Sequence, residues 1–155
     1  MPLWFRALFV TLLFPGTVAG FVPHRLAAGR YALPLPLGLF RWSGLALLLA
    51  GLALLLITIW EFARAGHGTL APWDPPTALV QRRLYTWARN PMYLGVLGCI
   101  VGQGVWLESG GVLVYGVLMA VAFHVRVVRF EEPALLRQFG AAYAEYLKRV
   151  PRWGW

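Results

Sequence analysis

Four stretches of this chain carry no formal charge: Ala7 to Pro23, Trp42 to Trp60, Asn90 to Leu107 and Ser109 to Val125. Each is close to the ~17–25 residues that a helix needs to cross about 30 Å of hydrocarbon. Backbone groups in lipid must be satisfied within their own segment, so runs of this length predict helices. Charged residues make up 13% of the chain and hydrophobic ones 59%, where a soluble domain carries about 25% charged side chains. The expectation is an all-α, polytopic integral membrane protein. It forms one domain over residues 1–155, with spans near 4–22, 40–62, 91–107 and 110–129. Arg6, the apolar Ala7 to Phe14 and the small residues through Gly20 also have the outline of a secretory signal. The apolar character runs on through Phe21 and Val22, and no soluble mature domain follows, so the segment reads as a retained first span.

After the fourth run, Leu135, Leu136, Phe139, Tyr143, Tyr146 and Leu147 recur at helical spacing, with Arg137, Glu145, Lys148 and Arg149 elsewhere around the helix. This predicts a C-terminal amphipathic helix over 131–150, ended by Pro151 and lying at the membrane surface. Pro23 to Gly38 reads as a loop, and so does Ala65 to Pro76, where two glycines flank His67 and three prolines follow Leu70. Glu61 and Arg64 stand at i, i+3, which suits an interfacial pair. Gly98 and Gly102, either side of Cys99, have the spacing that lets helix backbones approach.

The loop from Glu61 to Arg89 and the tail are rich in arginine, whereas the Leu107 to Gly111 link has no basic residue. That asymmetry predicts the long loop, the tail and the site they carry on the cytoplasmic side, with Arg25, Arg30 and Arg41 as the contrary observation. The net charge of +8 is dispersed over span ends, where arginine meets headgroups, and does not point to nucleic acid. One cysteine excludes an intramolecular disulfide, and His24, His67 and His124 have no metal-ligand spacing, so no metal site is expected. The chain has no Walker loop, nucleophile elbow or Gly-x-Gly-x-x-Gly motif.

Two polar motifs stand where apolar runs meet charged segments: Arg89-Asn90-Pro91-Met92-Tyr93-Leu94-Gly95 and Glu131-Glu132. Separately, each has a structural explanation. Asn90 and Pro91 suit an N-cap and a first helical turn, and Glu131-Glu132-Pro133 suits another helix start. Together they carry more. Leu79-Val80, Tyr85, the Arg89 to Gly95 motif, and then Glu131-Glu132-x-x-Leu135-x-x-x-Phe139-Gly140-x-x-Tyr143-x-x-Tyr146-x-x-x-Val150-Pro151-Arg152-Trp153 resemble the signature of the isoprenylcysteine carboxyl methyltransferase-like membrane methyltransferases. The resemblance covers about Gly68 to Trp153 and extends to the related phospholipid N-methyltransferases.

The resemblance implies S-adenosylmethionine as cofactor, held without a Rossmann fold by Leu79, Val80, Tyr85, Asn90, Pro91, Tyr93 and Glu131 or Glu132. It departs from the family at two places. Arg83-Leu84 stands where members commonly have Gly-Pro, and Asn90 where many have His. Asn cannot take up a proton to become cationic, so Asn90 is cast as a binder. The chemistry agrees. A carboxylate of the acidic pair suits the cofactor's ammonium, and Arg89 or Arg129 its carboxylate. Glu131 and Arg129 are the candidate catalytic residues, and Glu131 or Glu132 is the candidate base for an amine or thiol acceptor. The expected activity is methyl transfer to a lipophilic, membrane-embedded acceptor, with an isoprenylcysteine-like carboxylate favoured. The alternatives are a phospholipid or small-molecule N- or S-methyltransferase, a non-catalytic four-helix membrane scaffold, and a nicotinamide-dependent reductase whose phosphates sit on Arg82-Arg83.

Overall fold

The computed structural model describes residues 13–29, 34–65 and 78–154. Residues 4–12 of the first expected span and the loop around His67 therefore lie outside the described residues. The rest is helical: a π turn at Thr17–Phe21 running into α1 (Val22–Ala28), then α2 (Arg41–Ala65), α3 (Pro91–Trp106), α4 (Gly110–Arg126), a second π turn at Val127–Glu131, and α5 (Glu132–Arg149). Among the described residues, the β structure amounts to an isolated bridge between Pro34 and Ser109.

Two helices are long and apolar enough to cross a membrane: Gly38–Glu61, and the continuous run Gly110–Arg149. Pro91–Trp106 is apolar but shorter. The outward faces of α2 (Leu49, Leu52, Leu56, Ile57) and α4 (Val114, Val117, Leu118, Val121) are exposed. Contiguous apolar surface on this scale is foreign to a protein in water and natural to one in lipid.

Glycine decides how α2 meets α3. A Cβ on Gly51 would stand 2.7 Å from the Cys99 nitrogen and the Gly98 carbonyl carbon, and one on Gly95 would stand 2.8 Å from the Leu55 nitrogen. Gly102 meets Leu48 in the same way. Positions rise along α2 as they fall along α3, so the helices are antiparallel, in backbone contact along a seam of absent side chains. Cys99 is buried within it, as the small-residue reading of this segment anticipates. On the other side of α3, Ile100 packs on Gly116 and Gly104 on Leu113, which makes α4 antiparallel to α3. Ile100, Val112 and Phe123 form the core there with Val96 and Leu55.

Several polar groups between the helices have partners. The Thr58 hydroxyl donates to the Leu54 and Leu55 carbonyls at 2.9 Å. Tyr115 donates to Val18 O at 3.1 Å, and Gln103 Nε2 to Ala19 O and Cys99 O. These bonds tie α3 and α4 to the first π turn. At the α3–α4 link, Glu108 accepts from the Leu37 and Gly38 amides at 2.9 and 3.0 Å and lies 3.7 Å from Arg41.

Several expectations need correcting. The segment after Pro23 is helical to Ala28, because proline fits the first turn of α1, where its missing N–H is not required. Glu131-Glu132-Pro133 does not begin a separate helix. The chain passes from α4 through the π turn into α5 without interruption, and the break comes instead at Gly140 (φ 52°, ψ −125°). On α5, Tyr143 and Tyr146 are buried with Val150 against Leu79, Leu135, Phe139 and Leu147, whereas Leu136 is exposed. Glu61 does not pair with Arg64. Arg64 stacks over Trp60 at 5.0 Å, and Glu61 faces Arg83.

Candidate functional site

The two polar motifs come together at one end of the bundle. Tyr93, in the first turn of α3, donates its hydroxyl hydrogen bond to Glu131 Oε1. Arg126 Nε lies 2.8 Å from the same oxygen and 3.2 Å from the Tyr93 oxygen. The π turn makes this contact. Its amide of Glu132 bonds back to the Val127 carbonyl, an i to i+5 spacing that inserts one residue into the helical repeat. Glu131 is thereby brought over Arg126, five residues earlier, where an α-helix would present Phe130. Arg129 is exposed and has no ion pair among the described residues, so the arginine beside Glu131 is Arg126.

Glu132 faces other partners. Arg152 grips it with two hydrogen bonds, Nε to Oε1 at 2.7 Å and Nη2 to Oε2 at 2.9 Å. Those bonds raise the Arg152 guanidinium above its usual value, against the opposing effect of burial. Arg89 Nη1 is 3.0 Å from Glu132 Oε1, yet the buried Nε and Nη1 of Arg89 make no hydrogen bond, because proximity without alignment does not satisfy a donor. Arg89, expected to meet a cofactor carboxylate, is thus already beside a protein carboxylate.

The segment after α5 binds the loop before α3. The Arg89 amide donates to Pro151 O at 3.0 Å, and Asn90 Nδ2 to Arg152 O at 3.2 Å. Asn90 therefore occupies the N-cap position of α3, with Pro91 after it, but its side chain holds the C-terminal strap and not the helix. Trp153 Nε1 donates to His124 Nδ1 at 3.4 Å, which gives His124 a structural partner. Gly154, at φ +90°, lies against the Trp87 ring. In the sequence the strap stands only as the Val150-Pro151-Arg152-Trp153 end of the signature, and its partners, Arg89, Asn90, His124 and Glu132, come from the fold.

Tyr85 is buried, and its carbonyl accepts from the Tyr146 hydroxyl at 2.6 Å. Burial, with Tyr146 and Glu61 close by, pushes its phenol well above the ordinary range. Val80 is buried and Leu79 packs on the Tyr143–Tyr146 cluster. Just before Tyr85, Arg83 has φ +50°, the left-handed region that glycine favours. Where the resemblance expects glycine, Arg83 thus adopts a conformation that glycine favours.

The sequence that builds the site has parallels among known proteins. The phospholipid methyltransferase family model matches residues 39–142, which include both polar motifs. The chain is 28% identical over 124 residues to the protein-S-isoprenylcysteine O-methyltransferase of Saccharomyces cerevisiae, across 74% of this chain and 52% of that protein. It is 36% identical over 73 residues to the protein-S-isoprenylcysteine O-methyltransferase of Xenopus laevis, across 47% of this chain and 25% of that protein. The chain thus spans about half the length of the first relative, and its match covers a quarter of the second.

Proposed function

This chain belongs to the phospholipid methyltransferase family, and from that premise we propose that it transfers a methyl group from S-adenosylmethionine to a lipophilic acceptor in the membrane. The observation that carries this reading is the pair of adjacent carboxylates at the end of the bundle, one bound to Tyr93 and Arg126 and the other to Arg89 and Arg152. In the proposed topology four spans cross the bilayer, α5 lies as an amphipathic helix at the surface, and the site faces the cytoplasm. The favoured acceptor is the carboxylate of an isoprenylcysteine-like molecule.

The residues fit the cofactor. Apart from Arg41 Nε beside the α3–α4 link, the buried side-chain atoms without hydrogen-bond partners among the described residues are of both signs: Arg89 Nε and Nη1 as donors, both Glu61 oxygens as acceptors. Unsatisfied groups of this kind are costly in a finished structure and call for an explanation. S-adenosylmethionine, when bound, supplies an electrophilic methyl group together with an ammonium and a carboxylate. Leu79, Val80, Tyr85, Asn90, Pro91 and Tyr93 would line its site, with Arg89, Glu131 and Glu132 as the nearby charges.

What the chain then contributes is placement. Methyl transfer needs nucleophile, methyl carbon and sulfur in line, and orientation with exclusion of water supplies most of the acceleration. A carboxylate acceptor has no proton to lose, so Glu131 acts by orienting Tyr93 and Arg126. For an amine or thiol acceptor it would receive the proton. The test is calorimetric titration of detergent-purified protein with S-adenosylhomocysteine and NADPH, followed by transfer of labelled methyl to an N-acylated S-prenylcysteine and to phosphatidylethanolamine vesicles. Binding of S-adenosylhomocysteine and a base-labile methyl ester on the prenylcysteine are expected. Binding of NADPH alone would overturn the proposal.

A further inference from the structure

At the end of α2, next to the site, Glu61 lines a cavity of about 150 Å³ with Trp60, Arg64, Val80, Arg82 and Arg83. Its side chain is 9% exposed. Neither carboxylate oxygen has a hydrogen-bond partner. Among the described residues its ion-pair contact is Arg83 Nε at 3.8 Å, on a side chain that is 79% exposed, which is too far and too solvated to compensate a buried charge. A desolvated carboxylate without partners is expensive, and such groups are retained where something else satisfies them. By contrast Glu131 and Glu132 are both already engaged with protein cations. The buried demand for a positive charge therefore lies at Glu61, and the surrounding arginines offer to an anion what Glu61 offers to a cation.

We infer that Glu61 and Arg83 bind the amino-acid end of S-adenosylmethionine, the ammonium on Glu61 and the carboxylate on the Arg82–Arg83 side of the cavity. This rests on the methyltransferase reading above and assigns to Glu61 the role that the sequence suggested for the acidic pair. The cavity suits a compact zwitterion in size. It opens beside Val80, and Glu61 lies close enough to Tyr85 to act on its phenol. Arg83 holds a left-handed backbone conformation in order to stand there, and bulky residues rarely keep such a conformation.

Calorimetry on the detergent-purified full chain tests the inference with two ligands. S-adenosylhomocysteine carries the amino-acid end, and 5′-methylthioadenosine carries the same adenosine thioether without it. The parent protein should bind the first at least about tenfold more tightly, the scale of a charge-assisted hydrogen bond. Glu61→Gln should weaken S-adenosylhomocysteine by ~10- to 100-fold and leave methylthioadenosine within about twofold. Arg83→Gln should do the same to a smaller degree. Equal affinity of the parent for both ligands would overturn the inference and leave the methyltransferase reading standing, and it needs no variant to fold. Unchanged S-adenosylhomocysteine affinity in Glu61→Gln, with slower turnover of the lipid acceptor, would overturn it in favour of an acceptor headgroup in the cavity. A parent that binds neither ligand would overturn both readings.

Discussion

Replacing Arg152 by alanine tests whether the strap after α5 is part of the folded site. Removing one partner costs about 3–5 kcal/mol for a fully buried pair and about 0–1 kcal/mol for an exposed one. Here the Arg152 side chain is 28% exposed and that of Glu132 is 16% exposed. Arg89 remains 3.0 Å from the same carboxylate and takes up part of the loss. The expected cost is about 2 kcal/mol, or a fall in Tm of about 4–8 °C for a chain of this length. Arg152→Lys keeps the charge but loses the two-pronged grip and should cost about half as much. The chain carries its own reporter, since Cys99 is its one cysteine and is buried between α2 and α3. A thiol-reactive fluorogenic dye will therefore label it only as the bundle opens. Combining Arg152→Ala with Glu132→Gln should destabilise by at least about 1 kcal/mol less than the two changes summed, because each removes the other's reason for loss. Arg152→Ala melting within a degree of the parent, or strict additivity in the double variant, would refute the clamp.

Gly51→Val should lower Tm sharply or abolish expression, since even a Cβ would meet Cys99 and Gly98 backbone at 2.7 Å. Gly20→Ala, with open space around it, should be silent in the same assay. Arg83→Gly should raise Tm by relieving about 1 kcal/mol of left-handed backbone strain, and at the same time weaken S-adenosylhomocysteine, a trade that calorimetry beside the melt would read. In a Cys99→Ala background, membrane-impermeant labelling should reach Leu107→Cys from one face and Thr86→Cys and Lys148→Cys from the other. Labelling of all three from one face would contradict the proposed hairpin.

The helices were legible because their cause is local. Uncharged length located α2, α3 and α4 to within a few residues, and the small residues around Cys99 announced the close seam before its partner, Gly51, was known. The two motifs do come together in space, Tyr93 with Glu131 and Arg89 with Glu132. What the sequence hid was partnership. A π turn changes which residue lies over which, and nothing in Val127 to Glu131 marks it, so Arg129 was expected where Arg126 stands. Asn90 was assigned to the helix it begins because capping is a local pattern, while its actual partner is 62 positions away. Glu61 looked like half of an i, i+3 surface pair, and only the packing of the Arg82–Tyr85 turn against α2 reveals it as buried and unpartnered.

Adjacent residues on a helix point about 100° apart, and this separates the fates of the two carboxylates. Glu131 turns toward Tyr93 and Arg126, a contact more than half exposed on the arginine side. Glu132 turns toward Arg89 and Arg152, where both sides are largely buried. The pair is therefore not a proton-sharing dyad but two separate anchors, one for the site and one for the strap. Glu132→Gln leaves two buried guanidinium groups facing each other without an anion and should cost about 3 kcal/mol of stability. Glu131→Gln faces a more solvated arginine and keeps an oxygen to accept from Tyr93, so its stability cost should be about 0–1 kcal/mol. Its effect should appear in turnover instead, about tenfold or more, because misplacing Tyr93 and Arg126 disturbs alignment at the methyl group. Melting curves and methyl-transfer rates on the same two preparations separate these outcomes. Equal losses of Tm in both variants, or a Glu131→Gln enzyme turning over at the parent rate, would show that the two carboxylates do not divide the work in this way.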